Sequence, residues 1–366
     1  MREFDVVVIG AGVAGEVVAG RLGQNGLSVA IVEDKLVGGE CSYYACMPSK
    51  ALLRPVELAR EVARVPGLEL GPIDVAAVLR RRDDVIAHLD DTGQVPWLEE
   101  RGVTLVRGRG RLDGERRVVV DGEELVARTA VIVATGSTAL IPEIEGLRVA
   151  RPWTNIEATT ATQVPPRLAI LGGGVVGVEL AQAWAAFGSN VTLVHRGERL
   201  IEREEPFAGA QVLEALQEGG VDVRLRRSAV RVSRPGAVVI ELNDGTTVET
   251  DEVLAAFGRL PGTAGIGLET IGLEAGGPLV VGDDGDSRGM QRLRHLGAGD
   301  RGTDNHAPVL VDDAPGGPGG AATDERATGI AARVDIDVAG TEACLLRPGQ
   351  GKADGSDLRV GEDDAR

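Results

Sequence analysis

Two cysteines five residues apart, Cys41 and Cys46, are the side chains whose type and spacing most directly suggest chemistry. They lie in Gly38-Gly39-Glu40-Cys41-Ser42-Tyr43-Tyr44-Ala45-Cys46-Met47-Pro48-Ser49-Lys50, and apolar residues at helical spacing follow from Ala51 to Val62. The pair therefore sits where a glycine loop becomes a helix. Residues five apart in a regular helix have Cα atoms about 8.7 Å apart, whereas a disulfide needs about 7 Å or less. Bridging the pair requires the first helical turn to deform, and a strained bridge is easily reduced. The helix N-terminus and Lys50 favour a thiolate. A redox-cycling dithiol is one reading, and two inert buried thiols are the other. A metal site fits less well, because Cys344 is remote and no histidine is close in sequence. A structural disulfide fits poorly too, since nothing points to an oxidising compartment.

Two dinucleotide-binding units must position these thiols. Asp5 to Ile9 reads as a buried strand, followed by Gly10-Ala11-Gly12-Val13-Ala14-Gly15, a helical stretch to Leu22, and a strand from Leu27 to Val32 that ends at Glu33. Gly10 allows the turn, Gly12 lets a pyrophosphate approach the backbone, and Gly15 lets helix pack on strand. The helix N-terminus takes the phosphates and Glu33 accepts from a ribose hydroxyl. After Pro165-Pro166 the pattern repeats. Arg167 to Leu171 is a strand, Gly172-Gly173-Gly174-Val175-Val176-Gly177 the loop, Glu179 to Phe187 a helix and Asn190 to Val194 the next strand. Gly172, Gly174 and Gly177 take the corresponding roles. Here the strand ends in His195-Arg196, with Arg199 and Arg203 following, where an NAD site would carry an acid. That pattern suits a 2′-phosphate and favours NADPH over NADH. The other reading is that these arginines only offset Glu198, Glu202, Glu204 and Glu205. Two such units, one feeding a dithiol, imply electron transfer from a nicotinamide to a flavin.

The cysteine segment resembles the redox-active motif of the flavoprotein disulfide reductases, which include dihydrolipoamide dehydrogenase and the glutathione, mycothione and mercuric reductases. Glu40 stands where the family has Thr, and Ser42-Tyr43-Tyr44-Ala45 replaces the commoner Leu-Asn-Val-Gly. The resemblance implies an α/β fold with two Rossmann-like domains, one for FAD and one for NAD(P). It divides the chain into an FAD-binding domain over 1–149, a β-meander about 103–127 within it, an NAD(P)-binding domain over 150–262, and a partial return segment of the FAD domain over 263–300. It also implies that Gly10, Gly12, Gly15, Glu33, Gly39 and Lys50 face FAD, that Gly110 approaches the adenine, and that Ala134-Thr135-Gly136 closes over the flavin nucleotide. By the same resemblance Cys46 is the flavin-side, charge-transfer thiol, Cys41 is the interchange thiol, and Lys50 pairs with Glu179 near the nicotinamide. Gly258-Arg259-Leu260-Pro261 resembles the family's link back to the flavin. Asp300, closing His295-Leu296-Gly297-Ala298-Gly299-Asp300, resembles the carboxylate that holds the ribityl chain.

From about Asp283 the agreement fades. The family continues into an interface domain that builds a homodimer and supplies a His-Pro motif with a glutamate after it. That domain is expected to be missing here, and His306-Ala307-Pro308, which lacks the glutamate, reads as a loop. The Gly-rich tail over 301–366 is expected to be poorly ordered, because it offers little apolar surface to offset the entropy of ordering. An out-of-frame reading of a GC-rich gene accounts for such a tail. No Phe, Trp or Tyr follows Phe257.

The net charge of -17 excludes a nucleic-acid surface. The short apolar start, broken at once by glycines, is neither a signal peptide nor a membrane span, so no membrane partner and a cytoplasmic location are expected. The expected function is an NAD(P)H-dependent reductase that passes hydride to FAD, electrons to a Cys41–Cys46 disulfide, and then to a small-molecule or protein-bound disulfide. The alternatives are a diaphorase or quinone reductase, or a nucleotide-binding remnant with little activity.

Overall fold

The computed structural model describes residues 1–273 and 309–311, all within the compact unit Met1–Gly319. Asp300, His306 and Cys344 lie outside the described residues. The fold is α/β, as the motifs imply, and it contains one plan twice.

In the first half, β1 (Arg2–Ile9), α1 (Val13–Gln24) and β2 (Val29–Glu33) form a parallel βαβ unit. A long crossover follows through α2 (Gly39–Tyr43), α3 (Cys46–Ala63), α4 (Val75–Val85) and α5 (Val95–Glu99) to β3 (Val103–Arg107). Then come β4 (Gly110–Leu112), β5 (Arg117–Val120), β6 (Glu123–Val133) and the short β7 (Ser137–Ala139). The strands lie in the order β3-β2-β1-β6-β5-β4. After α6 (Asn155–Thr160) the second half repeats the unit as β8 (Arg167–Leu171), α7 (Val175–Ala186) and β9 (Asn190–His195). It continues through α8 (Pro206–Glu218), β10 (Asp222–Leu225), β11 (Ala229–Ser233), β12 (Val238–Leu242), β13 (Thr247–Thr250) and β14 (Glu252–Ala255). Here a parallel sheet runs β10-β9-β8-β14, and β11-β12-β13 forms an antiparallel sheet of its own. Finally β15 (Arg259–Pro261) pairs antiparallel with β7.

In the sequence Val103 to Val106, Arg116 to Val120 and Glu123 to Ala127 read as short strands joined by turns, followed by a separate strand from Ala130 to Val133, and the structure differs at two of these. Val103 to Val106 is not the first strand of the meander. It lies within β3, parallel to β2, because the helical crossover before it is long enough to return the chain in the same direction. The meander is β4-β5-β6. Glu123 to Ala127 and Ala130 to Val133 are one continuous strand: its register against β1 slips between Phe4 and Val6, and the exposed Arg128 and Thr129 break the apolar alternation there. Within the segment expected to be poorly ordered, β16 (Val309–Val311) pairs antiparallel with β6. That short β-branched and aliphatic run has a composition suited to a strand.

Central strands carry near-continuous apolar runs because both faces of each parallel sheet are covered, one by helices and the other by antiparallel strands. Val6, Val8 and Ile31 pack with Ala19, Leu98 and Val103 on one face, and Val7, Ile9, Leu112, Val118 and Leu125 cluster on the other. The cysteine-bearing α3 packs its other end elsewhere. Its Leu52, Leu53 and Val56 join Leu168, Leu180 and Trp184 in the core of the second half. Among the described residues no helix is long and apolar enough to cross a membrane.

Candidate active site

The first glycine loop and the cysteine segment are built against each other. Gly10 has φ +102°, and a Cβ there would lie 2.3 Å from the Ala134 carbonyl oxygen, so only glycine fits. A Cβ at Gly15 would sit 1.9 Å from the Gly10 carbonyl oxygen, which is how closely α1 packs on β1. Gly12 faces open space instead, with only the Gly39 Cα as near as 4.0 Å. This open backbone at the N-terminus of α1 is the cradle that a pyrophosphate needs. Gly38 donates its N–H to the Ala11 carbonyl at 2.8 Å, so the cysteine loop lies on the cradle's rim. The Glu33 carboxylate accepts from the Ala11 N–H at 2.7 Å and the Lys35 N–H at 2.8 Å; burial pushes its pKa up. Gly110 abuts Ile9 and Val32, the Ala134 N–H donates to Ile9, and Gly136 accepts from the Gly262 N–H. Of the residues expected to face FAD, Gly10, Gly12, Gly15, Glu33, Gly39, Gly110 and Ala134-Thr135-Gly136 thus gather at one end of the β1–β2–β6 sheet, whereas Lys50 lies on α3, paired with Glu179 of α7.

A break, and not a deformed first turn, brings the two cysteines together. α2 stops at Tyr43, α3 starts at Cys46, and Tyr44 and Ala45 between them leave helical geometry, both with φ −134°. Both cysteines are free thiols, Cys46 exposed and Cys41 half-buried. The Cys41 thiol donates to Cys46, and this bond, helped by the Lys50 charge and the Cys46 N–H at the helix start, lowers the Cys46 pKa to about 6. The same bond, together with burial, pushes Cys41 up. The two shifts run in opposite directions, so negative charge on the pair favours Cys46 and the proton favours Cys41.

The break is held from the other half of the chain. The Tyr44 carbonyl accepts from Asn155 Nδ2 at 3.0 Å and from Thr159 Oγ1 at 3.1 Å. Both donors lie on α6, a helix the sequence reading passed over. Its signal was present in Thr154-x-x-Glu157, a capping box in which Thr154 caps the helix and Glu157 bonds back to Thr154. The fully buried Arg82 of α4 caps the other end of α6, donating to the Thr159 carbonyl and to the Ala161 carbonyl at 2.9 Å.

Lys50 Nζ lies 2.6 Å from Glu179 Oε1, so the pairing expected of α3 and α7 is present. Arg259 is placed differently from a free cofactor ligand. It donates to Ser137 Oγ at 2.6 Å, to the Ser137 carbonyl at 2.7 Å, to Asn155 Oδ1 at 3.1 Å and to Glu40 Oε2.

The second loop copies the first. Gly172 has φ +123° and its Cβ would lie 2.1 Å from the Ala256 carbonyl oxygen; at Gly177 the clash is 2.0 Å with the Gly172 carbonyl oxygen; Gly174 faces open space. His195 is turned inward: Nδ1 accepts from the Gly173 N–H at 3.1 Å, and burial lowers its pKa, which keeps it neutral. Arg199 donates to the Glu202 carbonyl. Arg196 is the exposed guanidinium at the end of β9.

Residues 4–291 match the family model described as pyridine nucleotide-disulphide oxidoreductase. The chain belongs to that family. Among its relatives, the mercuric reductase of Staphylococcus aureus is 31% identical over 282 residues, covering 75% of this chain and 51% of that protein. The glutathione reductase of Burkholderia cepacia is 32% identical over 286 residues, covering 76% of this chain and 63% of that protein. The chain thus spans between half and two thirds of the length of these relatives. The same family architecture appears in the Cu(II) complex of the HOCl-induced flavoprotein disulfide reductase RclA from Escherichia coli, with a TM-score of 0.66 and 25% identity over 75% of this chain and 60% of that one. Family membership accounts for the paired glycine loops flanking a dithiol.

Proposed function

We propose that the chain is an NADPH-dependent flavoprotein that reduces a disulfide substrate through Cys41 and Cys46. The observation that carries this reading is that two free thiols flank the α2–α3 break, on a loop whose Gly38 N–H is bonded to the Ala11 carbonyl of a dinucleotide cradle. FAD would be held by Gly10, Gly12, Gly15, Glu33, Gly39, Lys50, Gly110 and Ala134-Thr135-Gly136, and it would supply the two electrons that reopen the cysteine disulfide. The nicotinamide cofactor would lie at Gly172, Gly174 and Gly177, with Glu179 beside Lys50. Arg196, exposed at the end of β9 where an NAD site would carry an acid, favours a 2′-phosphate.

The exchange chemistry follows from the proton's place. Cys41 passes its proton along the existing hydrogen bond to Cys46 and attacks one sulfur of the substrate. The substrate S–S bond breaks, a mixed disulfide forms on Cys41, and the first thiolate leaves and takes up the Cys46 proton. The Cys46 thiolate then attacks Cys41 Sγ, which releases the second thiolate and leaves the Cys41–Cys46 disulfide. Two electrons have moved from the cysteine pair to the substrate.

Anaerobic titration of the purified protein with NADPH, repeated with NADH, tests the reading. Wild type should show flavin bands that bleach and a long-wavelength absorbance from a Cys46 thiolate beside the flavin. Cys46→Ser should keep flavin reduction and lose the long-wavelength band together with disulfide turnover. Unchanged disulfide turnover in Cys46→Ser would overturn the role of the cysteine pair, whereas wild-type flavin reduction without disulfide turnover would leave a diaphorase.

A further inference from the structure

Glu40 is the residue that departs from the family motif, and it lies at the pivot of the helix break. Its backbone carbonyl accepts the Tyr44 N–H at 2.8 Å and the Ala45 N–H at 2.6 Å, the two amides that leave the helix. Its carboxylate Oε2 accepts from Arg259 Nη2 and, at 3.2 Å, from Asn155 Nδ2. That same Asn155 nitrogen donates to the Tyr44 carbonyl. Both sides of the break are therefore tied to one polar cluster of Glu40, Asn155, Arg259 and Ser137.

The cluster is largely dry. Asn155 is 5% and Ser137 7% exposed, and the Glu40 and Arg259 side chains are 29% and 21% exposed. A buried ion pair is costly unless its remaining hydrogen-bonding capacity is filled, and here four donor contacts of Arg259 are filled by protein atoms. Such a cluster has one satisfied arrangement, so it fixes the backbone it binds. The backbone in question separates the two sulfurs.

Resting on the reading of Cys41 and Cys46 as a redox pair, we propose that Glu40 is a positioning residue: held by Arg259 and Asn155, it fixes the α2–α3 break so that the Cys41 thiol points at Cys46. The role is geometric and not one of charge, and the two possibilities predict opposite signs. Loss of the Glu40 charge removes an anion and leaves the Arg259 cation without its carboxylate partner, a change that by itself could only favour a thiolate. Loss of position weakens the thiol–thiolate hydrogen bond, which raises the Cys46 pKa.

The test is the pH dependence of iodoacetamide alkylation in the reduced full chain, mapped by mass spectrometry so that Cys41, Cys46 and Cys344 are counted separately. Circular dichroism checks each variant's fold. Glu40→Ala should move the Cys46 midpoint upward by about one pH unit or more, a tenfold change in thiolate equilibrium. Glu40→Gln, whose side-chain carbonyl can still accept from Arg259 and Asn155, should stay near wild type. Asn155→Ala changes no charge and should also move the midpoint upward, which carries the test if Glu40→Ala does not fold. Downward shifts in both Glu40 variants, or no shift in Glu40→Ala and Asn155→Ala, would overturn the proposal. Alkylation needs neither nicotinamide nor substrate, so a wild-type protein without disulfide turnover would count against the proposed function and not against this role.

Discussion

The two glycine loops are nearly superposable in design and differ in what stands behind them. In each, the first glycine turns against a carbonyl of the neighbouring strand's end, the third admits the helix onto the strand, and the middle one caps the helix with open space beside it. Behind the first loop, Glu33 accepts the Ala11 N–H; behind the second, His195 accepts the Gly173 N–H at the equivalent place. One is a carboxylate whose two oxygens, each accepting one backbone N–H, keep lone pairs that could take a hydroxyl. The other is a neutral imidazole already committed inward, which leaves recognition to the exposed Arg196. A second difference lies one residue past the third glycine, where the first helix carries Glu16 and the second carries Val178. The two loops thus share one backbone scaffold and differ in single residues at its rim, to which the proposed function assigns the choice of nucleotide.

Filling one cradle at a time is the strongest way to break this comparison. A Cβ at Gly12 or Gly174 meets no backbone closer than 4.0 Å, so Gly12→Val and Gly174→Val should fold. Gly12→Val should weaken flavin binding about a hundredfold, about 2.7 kcal/mol, read as flavin absorbance of the purified protein. Gly174→Val should keep the flavin and weaken NADPH binding by a similar factor in a fluorescence titration. If Gly174→Val sheds flavin while Gly12→Val retains it, the two loops have been assigned the wrong way round. A gentler change makes the second loop copy the first. His195→Glu keeps an acceptor for the Gly173 N–H and adds an acid at the ribose, so the NADH to NADPH ratio of kcat/KM should rise about tenfold, about 1.4 kcal/mol. An unmoved ratio would show that the end of β9 does not read the ribose.

The smallest effect concerns Glu16. Burial, with the Glu33 charge adding to it, raises its pKa from 4.5 to about 7. The folded chain then binds a proton that the unfolded chain releases between these values, so this group's contribution to stability is full below pH 4.5 and is lost as pH rises through 7. Glu16→Gln should therefore be more stable than wild type at pH 8, by roughly 1 kcal/mol after allowance for solvent screening. It should also flatten the decline in thermal midpoint between pH 4.5 and 7. A variant that melts with the wild-type pH profile would remove Glu16 from the account.

What could be read from the sequence was local. Each glycine in the two loops answers to a neighbour fixed by the βαβ unit itself, so spacing alone exposed both units, whereas Glu179 came from the family resemblance and not from spacing. The inward turn of His195 could not be read this way, because it depends on the packing of Leu200 and Glu202 around it. Nor could the partners of Arg259, since Glu40 is 219 residues away in sequence. The helical periodicity after Ala51 correctly announced α3 but carried no trace of the break before it, which is held by α6 more than a hundred residues downstream. α6 itself was legible in its capping box. β3 was mistaken for a hairpin strand because its partner, β2, lies on the far side of four helices.

The placement of α3 bears on how such a protein could be cut and recombined. The Gly38-Gly39 loop that leads through α2 into it rests on the first glycine loop, while Leu52, Leu53 and Val56 are part of the second unit's interior. A chimaera that joins this first unit to a foreign second unit at the chain crossings near residue 150 would strand those three side chains against the wrong surface. A workable graft must carry the apolar face of α3 along with α7, even though more than a hundred residues separate them. The sulfur pair is in that sense the joint property of two modules, and neither can be inherited without a piece of the other.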